Sequence, residues 1–315
     1  MPKCLRALVT GGAGFIGSHM VDRLVKEGYD VRVLDNLSTG KLDNLQGLLS
    51  VGKVDFVNGD IRDASLVAKT VKDVDVVIHF AAVTSVPFSV ANPDLTFDVN
   101  VLGTLNLLRA GVQANIAKFV SISSCAVFGD PEYLPVREEF PTDPISPYAE
   151  SKLLADRYCL GFEHRKLLPG VVLRFFNVYG PRQGMNDYSG VITKFIDRVR
   201  QKEPLVVYGD GSQTRDFVSV HDIVDAVLAC MKSSDAEGQV FNVGSGKPTS
   251  INMLAKTVLE LAGVDLTIRY ENARTGDIKD SYADISKAKK LLGFEPKVSL
   301  KDGLQALLEE KKGVC

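Results

Sequence analysis

Apolar positions along the chain keep two alternating rhythms. The segments Leu5 to Val9, Val31 to Leu34, Val54 to Val57, Val74 to Phe80, Lys118 to Ser121 and Val171 to Phe175 read as buried strands. Between them, Ile16 to Glu27, Ala64 to Val71, Asp94 to Val112 and Pro147 to about Arg165 read as helices; Ile16, Met20, Leu24 and Val25 share one side of the first. Strands alternating with helices imply a parallel sheet joined by right-handed crossovers. After Asn177 the rhythm changes to a polar loop. Helices are then expected at Val191 to Arg200, His221 to Met231 and Ile251 to Leu261, with strands at Leu205 to Tyr208, Val240 to Val243 and Leu266 to Tyr270. Two amphipathic helices end the chain. The expected fold is α/β: a doubly wound parallel sheet over 1–176, with a return segment near 212–235, and a smaller α/β lobe over 177–315.

Candidate chemistry falls where such a sheet gathers ligands, at the carboxyl ends of its strands. The first strand runs into Thr10-Gly11-Gly12-Ala13-Gly14-Phe15-Ile16-Gly17 and then a helix. Its glycines let backbone approach a pyrophosphate, whose charge then rests on the helix N-terminus. Asp35 ends the second strand. A carboxylate there accepts from ribose hydroxyls and repels a 2′-phosphate, and no arginine follows immediately, so NAD is expected over NADP. Ala81 and Ser124 stand at the ends of the fourth and fifth strands. This much points to a Rossmann-type nucleotide-binding sheet.

Tyr148-Ala149-Glu150-Ser151-Lys152 is the second motif. Ser146 and Pro147 before it are a side-chain cap and a first-turn proline. Tyr148 and Lys152, four apart, share one helix face. The positive helix end and the ammonium are both expected to favour the phenolate, which suits a general base. Alone, Tyr-x-x-x-Lys is a common pattern. In the second lobe Arg215 and Arg274 suit a diphosphate, and equally suit salt bridges with Asp216 or Asp277. Both arginines are expected on loops.

Composition narrows the classes. The 315 residues are 45% hydrophobic and 24% charged, enough for a full core. A net charge of −2 gives nucleic acid no basic face. No apolar run approaches a membrane span. The five scattered cysteines, odd in number, fit reduced thiols in a cytoplasmic enzyme, with no disulfide frame or zinc spacing. No metal is expected; His79, His164 and His221 have no ligand spacing, and none of the histidines is a strong catalytic candidate.

Taken together, Thr10 to Gly17, Asp35-Asn36, Gly59-Asp60-Ile61, His79-Phe80-Ala81-Ala82, Ser123 to Gly129, Tyr148 to Lys152, Arg174-Phe175-Phe176-Asn177, Arg215-Asp216 and Arg274-x-Gly276-Asp277 resemble the extended short-chain dehydrogenases. Within them the pattern is most similar to the nucleotide-sugar epimerases that act on UDP-hexoses. The resemblance covers nearly the whole chain and implies roles. Tyr148 would take the proton of the sugar 4-hydroxyl while tightly held NAD accepts, and later returns, the hydrogen on that carbon. Lys152 would bind the nicotinamide ribose, and Ser124 the sugar oxygen. Gly11, Gly14, Phe15, Ile16 and Gly17 would wrap the pyrophosphate; Asp35, Asn36, Ser38, Gly40, Asp60 and Ile61 the adenosine end. Phe80, Ala81, Ala82, Asn100, Ser123 and Phe176 would complete the cofactor site. On the substrate side Asn177, Arg215 and Arg274 would hold phosphates, and Asp277 the uridine ribose. Val191, Val207 and Tyr208 would line the base site. A homodimer through the helices around 94–112 and 147–165 is implied.

Departures from the sister families refine this reading. Dehydratases and decarboxylases of the group carry acids just after the catalytic serine or threonine; here those positions are Cys125 and Ala126. Phe128 replaces a usual tyrosine. Ser281 would face the sugar 2-substituent, and a small residue there admits N-acetyl groups. The expected activity is therefore 4-epimerisation of UDP-glucose/UDP-galactose and of UDP-GlcNAc/UDP-GalNAc. The alternatives are another NAD-dependent nucleotide-sugar enzyme, a decarboxylase or dehydratase, or a non-catalytic NAD-binding module.

Overall fold

The computed structural model describes residues 5–184, 190–273 and 278–310. Six consecutive strands, β1 (Arg6–Thr10), β2 (Asp30–Asp35), β3 (Val54–Asn58), β4 (Val76–His79), β5 (Lys118–Ser124) and β6 (Gly170–Phe175), pair in parallel in the order 3-2-1-4-5-6. The crossovers carry α1 (Phe15–Lys26), α2 (Gln46–Ser50), α3 (Ala64–Thr70), α4 (Val86–Ala91), α5 (Pro93–Phe97), α6 (Gly103–Ala114) and α7 (Pro147–His164). The order reverses beside β1, between β1 and β4, and that crevice is where such sheets bind ligands.

Strand periodicity decides what each face buries. Ala7 and Val9 of β1, with Val31 and Val33 of β2, pack on the face covered by α1. Leu8 of β1 and Leu34 of β2 join Leu107, Leu108 and Phe119 on the face covered by α3 and α6. All of these are at most 1% exposed, so each contributes about 1.5–3 kcal/mol of burial for the larger side chains.

After β6 the chain forms β7 (Asn177–Tyr179), where a polar loop was expected. It continues through α8 (Val191–Gln201), β8 (Leu205–Tyr208), β9 (Thr214–Ser219), α9 (Val220–Lys232), β10 (Val240–Val243), β11 (Pro248–Ser250), α10 (Ile251–Ala262), β12 (Ile268–Glu271), β13 (Asp280–Ser281), α11 (Ser286–Leu292) and α12 (Leu300–Glu309). β9 pairs with β7, β11 and β13, and β8 pairs with β12. The short strand β7 exists because β9 offers a parallel partner, Asn177 opposite Phe217. Isolated, three residues carry too little pattern to reveal it.

The chain returns to the main sheet over a wider span than 212–235. α9 packs on α1, and β10 joins β6 as the seventh parallel strand, Phe241 opposite Leu173. Phe241 and Val243 are buried in the α1-side core, and Ala288 of α11 joins them. The short run Val240–Val243 is read as a strand from sequence, but which sheet it completes depends on long-range packing.

The expected helix from Asp94 to Val112 is also modified. Asp98–Leu102 forms a π-helical turn between α5 and α6, and Asn100 lies within it. Such turns insert one extra residue into a helix and often serve a site.

Candidate active site

The glycine turn is shaped by contacts that exclude side chains. Gly11 has φ +69°, and a Cβ there would lie 2.7 Å from the Ala81 nitrogen. At Gly17 a Cβ would come 2.2 Å from the Gly11 carbonyl oxygen. Gly14 precedes α1 in extended conformation with no side-chain cap and no acid in the first turn, so the helix end presents N–H groups toward an anion. Asp35 is 7% exposed; its carboxylate accepts from Ala13 N at 3.0 Å and Leu37 N at 2.8 Å. Burial raises its pKa, while those two bonds hold the ionised form. Gly40 is closed against it: a Cβ would stand 3.0 Å from Asp35 Oδ2. A backbone cradle that any Cβ would fill, under an uncapped helix end and beside a buried carboxylate, fits NAD. Asn36 and Asp60 are hydrogen-bonded to each other at 2.9 Å, and Arg62 pairs with Asp60, holding its carboxyl at about 2. The Asp60 side chain thus organises the rim, and Ser38 N is fixed by Asn36 Oδ1. The side chain of Ile61 is buried against Gly103, and that of Phe176 in a small core with Val127 and Phe128.

Across the crevice, α7 starts at the Ser146 cap, whose Oγ accepts from Ala149 N at 3.2 Å. Ser89 Oγ accepts from Tyr148 N at 3.1 Å, anchoring the first turn to α4. Tyr148 and Lys152 are 9% and 6% exposed, and the Ser124 side chain hydrogen-bonds the Tyr148 phenol. Tyr148, Lys152 and Ser124 are therefore brought together. The expected acidic phenol is corrected, however. Burial pushes the Tyr148 phenol up to about 12; only the Ser124 hydrogen bond opposes this. Burial also pulls the Lys152 ammonium down to about 8, with the Asp156 carboxylate opposing. The reason is desolvation, which penalises both charged forms and outweighs the helix end.

Asp156, one turn beyond Lys152, is a residue the sequence reading missed. It is 1% exposed and pairs with Arg174 Nε at 3.2 Å, while Ser123 lies beside it. Arg174 in turn stacks over the Phe128 ring, 4.8 Å from its centroid. The spacing 148, 152, 156 held the signal, since i, i+4, i+8 share a face. Phe128, read as a departure, thus serves as a platform for a buried guanidinium.

In the second lobe Arg215 lies on β9, not on a loop, and its backbone register partner is Ser281 on β13. The open question of an Arg215–Asp216 bridge is decided by Asp216. That carboxylate is 0% exposed and accepts from Ser245 N, Ser245 Oγ, Gly246 N and Ala283 N at 2.5–3.1 Å. Alternation along β9 sends the two side chains to opposite faces. Arg215 itself donates to the carbonyls of Thr214 and Lys279. Ser281 is 7% exposed, and its side chain hydrogen-bonds the Cys125 thiol. Burial pushes that thiol up to about 12, which leaves it uncharged and inert as an acid or base near neutrality. Val207 is 1% exposed, its side chain in a core with Ile192 and Phe195. Strand alternation gives the accessible face to Tyr208. Val191 opens α8 partly exposed, and Asn177 lies on β7. Arg274 and Asp277 lie outside the described residues. Among the described residues no cluster of three or more His, Cys, Asp or Glu could hold a metal, and no helix is long and apolar enough to cross a membrane.

Known proteins are similar to this chain in sequence and fold. A family model described as GDP-mannose 4,6 dehydratase matches residues 8–307. A putative UDP-glucose 4-epimerase of Methanocaldococcus jannaschii is 42% identical over 307 residues, 97% of this chain and 98% of that protein. A UDP-N-acetylglucosamine 4-epimerase from Methanobrevibacter ruminantium, solved with UDP-N-acetylmuramic acid, has a TM-score of 0.93 at 38% identity and is covered over 98% of each chain. A UDP-glucose 4-epimerase from Thermus thermophilus, solved with NAD, has a TM-score of 0.89 at 37% identity, covering 97% of this chain and 98% of that one. UDP-glucuronic acid decarboxylases and a dTDP-glucose 4,6-dehydratase are similar to it as well.

Proposed function

The chain belongs to the NAD-dependent epimerase/dehydratase family of nucleotide-sugar enzymes, and from that premise we propose that it inverts C4 of UDP-sugars through a transient 4-keto sugar. The observation that carries this reading is the trio Ser124, Tyr148 and Lys152 with no acid beside Ser124. Decarboxylation and dehydration need a second acid or base at an adjacent carbon. Here Ala126 has no titratable group, and Cys125 is held uncharged.

Tyr148 receives the 4-hydroxyl proton as the carbonyl forms, and gives it back when the sugar is reduced on its other face. Ser124, already bonded to the phenol, aligns that proton path. Lys152 would bind the cofactor ribose, and its ammonium stabilises the phenolate form of Tyr148 that accepts this proton. When bound, NAD supplies the two-electron acceptor and donor for the sugar carbon and a positive charge that favours the phenolate. Arg215 and Asn177, with Arg274, hold the diphosphate, and Asp277 the uridine ribose.

The same reading extends to substrate size. Ser281 is buried beside Cys125, both small, which supports acceptance of N-acetylated sugars with plain hexoses. A homodimer is supported by the apolar side chains that α5, the π turn and α7 leave exposed: Leu95, Leu102 and Tyr158. The test is incubation with UDP-glucose, UDP-galactose, UDP-GlcNAc and UDP-GalNAc, with products resolved by chromatography. Interconversion within each pair is expected, and Tyr148→Phe should lower turnover by at least about 100-fold, the scale of positioned acid–base catalysis. Carbon dioxide from UDP-glucuronate, or a 4-keto-6-deoxy product, would replace this reading; no change to any sugar would make the chain a binding module.

A further inference from the structure

The glycine turn and the catalytic helix are joined by a buried hydrogen-bond chain in which every direction can be assigned. Thr10, His79, Asn100, Thr104 and Ser151 are each at most 3% exposed. Thr104 Oγ1 donates to the Asn100 carbonyl at 2.6 Å. A hydroxyl has one proton, so the 2.9 Å contact between Thr104 Oγ1 and His79 Nε2 must be donated by the imidazole. Thr10 Oγ1 accepts from Ala81 N at 3.3 Å and lies 2.7 Å from His79 Nδ1. In a neutral ring with its proton on Nε2, Nδ1 is the acceptor and Thr10 the donor.

Beyond Thr104 the chain continues. The Asn100 amide bonds both polar groups of Val83, donating to its carbonyl at 2.9 Å and accepting from its nitrogen at 2.8 Å, which fixes its orientation. It also donates to Ser151 Oγ at 2.9 Å, and Ser151 Oγ donates to the Tyr148 carbonyl at 2.7 Å. With the covalent frame of Asn100 joining its backbone carbonyl to its side-chain amide, the path runs from the residue that precedes Gly11 to the backbone of the catalytic tyrosine. It passes through the π turn, where a threonine bonding back four residues helps bend a helix.

We propose that His79, held as the neutral Nε2–H tautomer between Thr10 and Thr104, is a positioning residue that sets the catalytic helix against the glycine turn. The proposal rests on the reading of Tyr148 as the proton acceptor. Burial, then the nearby Lys152 ammonium, push the His79 pKa down to about 3, so the ring stays neutral across the working pH range, and its threonine partners select the tautomer. The charged groups facing the ring are few: Lys152 from α7, with Asp156 and Arg174 beyond it. An imidazolium would place a second cation beside Lys152 and remove the acceptor that takes the Thr10 hydroxyl proton.

Two measurements test this on the full-length protein. Ring nitrogen NMR of histidine-labelled protein reads the tautomer without reference to turnover. A neutral Nε2–H signature for His79 unchanged from pH 5.5 to 9 is expected; an imidazolium or an Nδ1–H ring would overturn the proposal. Thr104→Val keeps shape but removes the hydroxyl relay. Its kcat for UDP-glucose should fall about tenfold per NAD-loaded protomer with KM little changed, and Thr104→Ser should restore most of it. Full kcat in NAD-loaded Thr104→Val, or no rescue by serine, would overturn the positioning role. If the unaltered enzyme turns over no UDP-sugar, the functional reading fails while the NMR result still judges the tautomer.

Discussion

Replacing Lys152 by methionine should make the cofactor-free protein more stable while abolishing turnover. The side chain is 6% exposed, and burial lowers its pKa from 10.5 to about 8. At about 1.4 kcal/mol per pH unit, that displacement means the fold gives up about 3 kcal/mol to keep the ammonium where the site needs it. The sign follows from proton binding. Between pH 8 and 10.5 the unfolded chain holds more protons at this position than the folded one, so stability rises with pH across that window. The penalty is complete below pH 8 and absent above 10.5. Methionine fills a similar volume without charge. Urea unfolding of both proteins at pH 7, 9 and 10.5 should show the variant ahead by about 3 kcal/mol at pH 7, with the gap closing toward pH 10.5. A variant that is less stable at pH 7, or a gap that does not change with pH, would refute the argument that desolvation dominates at Lys152.

Gly17→Ala should leave the protein folded but purified with little NAD, because the new Cβ meets the Gly11 carbonyl at 2.2 Å and must displace the turn; unchanged NAD per protomer after acid release would contradict this. Arg174→Met should cost about 3–5 kcal/mol by stranding the buried Asp156 carboxylate, and adding Asp156→Asn should recover most of that loss; strictly additive unfolding energies would show the pair is not coupled. Ser281→Tyr should suppress turnover of UDP-GlcNAc and UDP-GalNAc while sparing the plain hexoses, since the residue is buried beside Cys125; equal losses for both classes would misplace the pocket.

Local physics made several features legible in the linear chain. The strand, glycine turn and helix of β1 and α1 depend on neighbours within a few residues. So does the Ser146-Pro147 start of α7, and the face shared by Tyr148 and Lys152 follows from helical spacing alone. Alternation of short apolar runs with amphipathic stretches likewise determines a parallel sheet, because only that layering buries both kinds of surface. Other properties came from distance. The Tyr148 phenol is pushed up, not down, because desolvation is a property of the assembled core. Asp216 ignores its neighbour Arg215 and binds Ser245, Gly246 and Ala283, groups brought in by two later segments. His79 becomes part of the site through partners 69 and 25 residues away, and no pattern of spacing announces hydrogen bonds of that range. The chain alone decided which residues could do chemistry; tertiary packing decided their charge and their partners, since dielectric surroundings and hydrogen-bond geometry exist only once remote segments meet.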